Sequence, residues 1–172
     1  MLRNQIASTK MAEMTKWGRF VGEGDDYFIP FFRRIAKNKA LLLEDFSFEQ
    51  VDGVIWTARK GLVFDGASIP KLLWGFSTNP WADDVIGPAT IHDFYCKLGR
   101  EGISPYSSSD VHYTFHQSMR SIGVSAWRAR ARWSGVKTFG PHFSAHLDKE
   151  PSENVGEVVL RRDILDDLGY DV

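Results

Sequence analysis

Asp65, Ser68, His92, Asp93 and Asp110 are the residues of this sequence whose types and spacing could do chemistry. Asp65 follows Gly61-Leu62-Val63-Phe64, which reads as a strand, and opens the turn Asp65-Gly66-Ala67-Ser68-Ile69-Pro70. His92 and Asp93 are adjacent in a segment of helical spacing, and Asp110 heads the next one. A carboxylate at a strand end, a hydroxyl at a helix start and an imidazole beside a second carboxylate are the groups that general acid–base and metal-assisted hydrolysis employ. They define a candidate catalytic set, Asp65, Ser68, His92 and Asp93. They also define a candidate ligand set for one divalent metal ion: Asp65, His92, Asp93 and Asp110.

Each of these residues has a structural alternative. The Asp65 carboxylate can close its own turn on nearby amides. Ser68 can cap the helix that Pro70 allows to begin, and no Gly-x-Ser-x-Gly elbow surrounds it. His92 and Asp93 can form a satisfied buried network, since burying them without partners costs several kcal/mol. Asp110 complements a helix dipole. His112 and His116 form a His-x3-His pair, but at about 100° per residue His112 lies some 200° from Asp110. If Asp110 belongs to the site, the histidine pair does not.

These side chains need a scaffold. Arg19-Phe20-Val21, Tyr27-Phe28-Ile29, Leu41-Leu42-Leu43, Phe46-Ser47-Phe48, Val54-Ile55-Trp56-Thr57 and Leu62 to Phe64 read as strands. Asp52-Gly53 is a hairpin turn signal. After Asp65 the pattern becomes helical: one helix from Lys71, a second opened by Pro88 and stopped at Gly99, a third capped by Ser109, and a fourth from Ser125 to Gly140-Pro141. In the third, Val111, Phe115, Met119 and Ile122 form a core-facing stripe. The expected fold is α+β: a small N-terminal antiparallel sheet packed on a C-terminal cluster of about four helices. Residues 1–18 form an N-terminal arm, 19–140 the domain, and 141–172 a polar linker and an amphipathic helix over Val158 to Leu168.

Composition narrows the partners. The chain has 172 residues, 43% of them hydrophobic, with a formal net charge of −1, so it can bury a core and carries no global basic field. Arg128, Arg130, Arg132 and Lys137 alternate with apolar residues and read as a solvated helix face, so nucleic acid is not an expected partner. The single cysteine, Cys96, excludes an internal disulfide and a Cys-rich zinc site. No apolar run approaches the roughly 20 residues of a membrane helix, and the N-terminus lacks a secretory signal. Synthesis in the cytosol and no membrane partner are the expectations.

Several of these runs, taken in order, resemble the DUF1353 family. They are Val63 to Trp74, Ala89-Thr90-Ile91-His92-Asp93-Phe94-Tyr95, Ser109-Asp110 with Phe115 to Met119, and Gly123-Val124 with Trp127-Arg128-Ala129. The resemblance covers roughly residues 40 to 140. DUF1353 is a domain of unknown function common in bacteriophages and prophages, and its polar positions fall on Asp65, Ser68, His92, Asp93 and Asp110. The order Asp…His-Asp…Asp also compares with HD-type metal phosphohydrolases, although no histidine precedes His92. The family resemblance implies a phage setting: synthesis in a host cytoplasm and a structural or accessory role in the virion. Its partners would be other phage structural proteins or further copies, bound through the arms. A small metal-dependent hydrolase and a host-directed binding protein are the alternatives.

Overall fold

A computed structural model describes residues 16–22, 28–36, 39–64 and 83–146. The architecture is α+β, with six short strands preceding three helices among the described residues. The strands are β1 (Arg19–Val21), β2 (Phe32–Ala36), β3 (Lys39–Leu42), β4 (Phe46–Glu49), β5 (Ile55–Ala58) and β6 (Val63–Phe64). The helices are α1 (Asp83–Arg100), α2 (Ser108–Ser121) and α3 (Ala126–Phe139). The helix expected at Lys71, the N-terminal arm up to residue 15 and the helix expected over Val158 to Leu168 lie outside the described residues.

The strands form two antiparallel three-stranded sheets rather than one, ordered β1-β4-β5 and β2-β3-β6. Alternation decides which face is buried. Phe46 and Phe48 of β4 and Trp56 and Ala58 of β5 point inward, with Ser47 and Thr57 between them. Phe48 lies opposite both Phe20 and Trp56, so the aromatic face runs across the whole sheet. The β4–β5 turn is closed by the Gln50 amide bonding the Val54 carbonyl at 2.9 Å, with Gly53 at φ 86° as the Asp52-Gly53 pair requires. Phe28 and Ile29, expected in a strand, instead lie in a turn and bend; the strand forms beyond Pro30, at β2. The Arg33-Arg34 pair hid it, because β2 is an edge strand with exposed side chains and no apolar alternation.

Helix α1 is the centre. Its Ile86, Ile91, Phe94, Tyr95 and Leu98 belong to the sheet-side core with Leu42, Phe48, Trp56 and Phe64. Its Val85 and Ala89 pack with Phe115 and Met119 of α2 in a second core. A helix buried on nearly every side carries little amphipathic signal, which is why its start reads late from sequence. It begins at Asp83, with Pro88 inside it. A residue before proline normally avoids the helical region because its Cβ clashes with the ring, and Gly87 has no Cβ. The Phe28 carbonyl uses the same space: a Cβ on Gly87 would lie 2.1 Å from that oxygen.

The remaining helices fasten onto α1. Ser107, not Ser109, caps α2: its side chain accepts from the Asp110 amide while the Asp110 carboxylate accepts from the Ser107 amide. Arg132 is no part of a solvated face. It is 3% exposed and gives both terminal nitrogens to Asp84 Oδ2 at 3.2 Å, tying α3 to α1. Residues 141–146 fold back over the bundle, with Phe143 packed against Gly99 and its carbonyl accepting from the Ser108 amide at 3.0 Å.

Two measurements test this frame. Gly87→Ala must displace Phe28 or distort α1, so it should lower stability by roughly 2–3 kcal/mol, read as a lower urea midpoint with unchanged slope. Asp45 accepts from the Lys60 amide and from Arg59, both at 2.8 Å, joining the β3–β4 connection to the β5–β6 turn. Burial alone would raise its pKa, but the Lys60 amide and the Arg59 guanidinium prevail and hold it below the ordinary 3.8. A depressed carboxylate contributes stability above its unfolded pKa and loses it as pH falls through the folded one. Asp45→Asn should therefore flatten the stability profile below about pH 4 and lower neutral-pH stability by about 1 kcal/mol. An acid-unfolding curve that overlays the wild type would show that this clamp contributes nothing.

Candidate functional site

Where α1 crosses α2, three side chains with donor atoms meet inside the protein. His92 and Cys96 continue the Val85-Ala89 stripe of α1 at spacings of four, three and four, so they face α2. His112 meets them from α2, between the core residues Val111 and Phe115. All three are buried, at 8%, 3% and 2% exposure. His92 Nε2 lies 2.9 Å from His112 Nδ1 and 3.6 Å from Cys96 Sγ. One donor atom from each residue lies within 4.8 Å of the other two.

The charges of this cluster are ordered. Burial alone disfavours an imidazolium at His92, but the Cys96 sulfur and the Asp93 carboxylate, whose Oδ1 is 3.5 Å from His92 Nδ1, hold its pKa up to about 9. Burial and then the neighbouring His92 charge push His112 down to about 4. A consistent tautomer follows: His92 donates from Nε2, and neutral His112 accepts at Nδ1 and turns its Nε2–H toward the Pro141 carbonyl. That last contact falls short of a well-formed hydrogen bond among the described residues. The His112 ring is also backed by Gly140, where a Cβ would come within 3.1 Å of it.

This donor set can hold a metal ion. Around a tetrahedral zinc, with Zn–N near 2.0–2.1 Å and Zn–S near 2.3 Å, ligand atoms stand roughly 3.3–3.6 Å apart. The 3.6 Å between His92 Nε2 and Cys96 Sγ already fits, and the two imidazoles would part by about 0.4 Å. Two imidazoles and a thiolate are softer than a carboxylate-rich set and suit zinc better than magnesium.

The candidates read from sequence are distributed as follows. His92 and Asp93 are at the cluster. Asp65 and Ser68 lie outside the described residues. Asp110 is engaged in the α2 capping box and lines a groove between the β4–β5 hairpin and α2, beside Tyr106 and Tyr113; it is not among the donors gathered around His92. Burial, and then the carboxylates of Asp52 and Asp110, raise the pKa of Tyr106 there. The two histidines of His-x3-His separate: His112 joins the cluster, while His116 packs among the rings of Trp17, Tyr113 and Trp133. Sequence reasoning missed Cys96 and His112 because it tested His112 only against Asp110. The signal was present in His92-x3-Cys96, two soft donors one helical turn apart on an apolar stripe.

The family described as a protein of unknown function, DUF1353, matches residues 40–136, which is more than half of the chain. The chain belongs to that family. It is similar to two proteins of Sinorhizobium fredii (strain NBRC 101917 / NGR234): uncharacterized protein y4jT, 33% identical over 103 residues, and uncharacterized protein y4iH, 35% identical over 103 residues. Each alignment covers 60% of this chain but only 29% and 41% of the respective relative, so the chain spans less than half the length of either. No solved structure matches.

Proposed function

We propose that this DUF1353 domain is a small metal-dependent hydrolase whose divalent ion, zinc by donor chemistry, is held by His92 and Cys96 of α1 and His112 of α2. The observation that carries the reading is the convergence of those three buried donors within 4.8 Å. Three protein ligands leave a tetrahedral ion one position, where a bound water becomes acidic enough to attack at neutral pH. Asp93 orients the His92 imidazole, as carboxylates behind metal-bound histidines do.

A second reading, a component of a phage particle that binds neighbouring subunits, draws support from the sheet edge. Phe31 and Ile35 are 63% and 43% exposed on and beside edge strand β2. Exposed strand edges with apolar side chains favour pairing with another chain.

The metal reading predicts about one equivalent of zinc bound per chain. Cobalt substitution should produce a thiolate-to-cobalt charge-transfer band that Cys96→Ser abolishes. Asp93→Asn should weaken metal affinity by about 10–100-fold. Release of nitrophenol from an activated ester or phosphodiester should be abolished by a chelator and by His112→Ala but not by His116→Ala. Metal retained by Cys96→Ser would overturn the site, and turnover that survives His112→Ala would overturn the hydrolase assignment. The particle reading predicts peptides of this chain in mass spectra of purified virions from a host carrying the gene; their absence would end it.

A further inference from the structure

We propose that the surface where α2 meets α3 binds single-stranded nucleic acid, with bases stacking on Tyr113 and Trp133 and phosphates meeting Arg130 and Lys137. Helix α3 contains no acidic residue, and Arg128, Arg130 and Lys137 are exposed along it. Among the described residues no carboxylate pairs with any of these three. The basic helix face expected to be merely solvated is not bare of aromatics. Trp133 lies edge-on to Tyr113 at 6.4 Å and tilted to His116 at 5.7 Å between ring centres, and the Lys137 ammonium stands 5.3 Å from the Trp133 ring.

Tyr113 is 46% exposed, and its ring lies nearly parallel to His116, at 18°. The exposed Tyr113 ring, backed by His116 and flanked edge-on by Trp133, is thus the platform on which a planar base can extend the stack. Two cations stand near the stack: burial, then the charges of Arg120 and Arg130, hold the His116 imidazole below its ordinary 6.5. Interleaved cations and ring faces are what sequence-tolerant single-strand binding uses, the cations following the backbone and each ring accepting whichever base arrives. A net charge of −1 does not oppose this, because association responds to the local field. An anionic membrane would engage the same cations but would leave the ring platform without a planar partner.

The test titrates the full chain with an oligothymidylate and with a duplex of equal length, following tryptophan fluorescence and electrophoretic mobility. Oligothymidylate should quench the fluorescence and bind more tightly than the duplex. Its log affinity should fall with log salt at a slope near −1.4 for two phosphates contacted, about −0.7 for each. Arg130→Ala with Lys137→Ala should remove most of that slope. Tyr113→Ala, at an exposed position, should weaken binding about tenfold while leaving the slope intact. Circular dichroism verifies that each variant is folded. No binding at low salt, equal binding of duplex, heparin or anionic vesicles, or an unchanged affinity in Tyr113→Ala would each overturn the proposal.

Discussion

The described structure depends on α1 being buried along nearly its whole length. Two sheets and a second helix press on it, so each polar group it buries must find a partner inside the protein. Thr90 does so by donating back to the Ile86 carbonyl at 2.8 Å, and Tyr95 by accepting from the Thr57 amide at 3.1 Å. Burial then outweighs that bond at Tyr95 and pushes its hydroxyl up to about 12. His92 and Cys96 meet each other one turn apart, and His92 also reaches His112 on the facing helix, so the crossing of α1 and α2 is polar at this point.

That arrangement explains what is gained by placing donors in a core. An imidazole on an exposed helix would exchange between rotamers and solvent partners. Here His92 is wedged between Phe115, at 5.0 Å between ring centres, and His112 at 5.1 Å. Gly140 and Pro141 close over the far side of His112, which brings the end of α3 into the same arrangement. The donors are preorganised by packing, which fixes the ring orientations before any ligand arrives.

Much of this was legible in the chain, and the failures have physical causes. Strands β1, β3, β4 and β5 and the Asp52-Gly53 turn follow from alternation and turn chemistry, and α3 follows from Ser125 and Gly140-Pro141. Strand β2 did not, because an edge strand carries no buried stripe, and Phe28-Ile29 read as a strand although that segment bends to bring its carbonyl against Gly87. The start of α1 was misplaced because a helix buried all round lacks periodicity and because Pro88 usually marks a first turn. His92 and Asp93 were legible as a local pair. Cys96 was discounted for want of a second cysteine, yet its partners are imidazoles, one a helical turn away and one contributed by another helix.

Helix α2 shows how a single period separates two chemistries. Val111, His112, Phe115 and Met119 turn to α1, where low dielectric makes each donor depend on its neighbours. Asp110 and Gln117 occupy another face, where Gln50 bonds both Thr114 and Gln117 and fastens the β4–β5 hairpin to the helix. His116 turns toward α3 and its cations. The His-x3-His spacing therefore does not make a chelate: one turn of helix carries its two imidazoles in the same general direction, but the neighbouring α1 and α3 divide that direction between a buried donor cluster and a basic surface. The neighbours, more than the spacing, decide what each histidine can do.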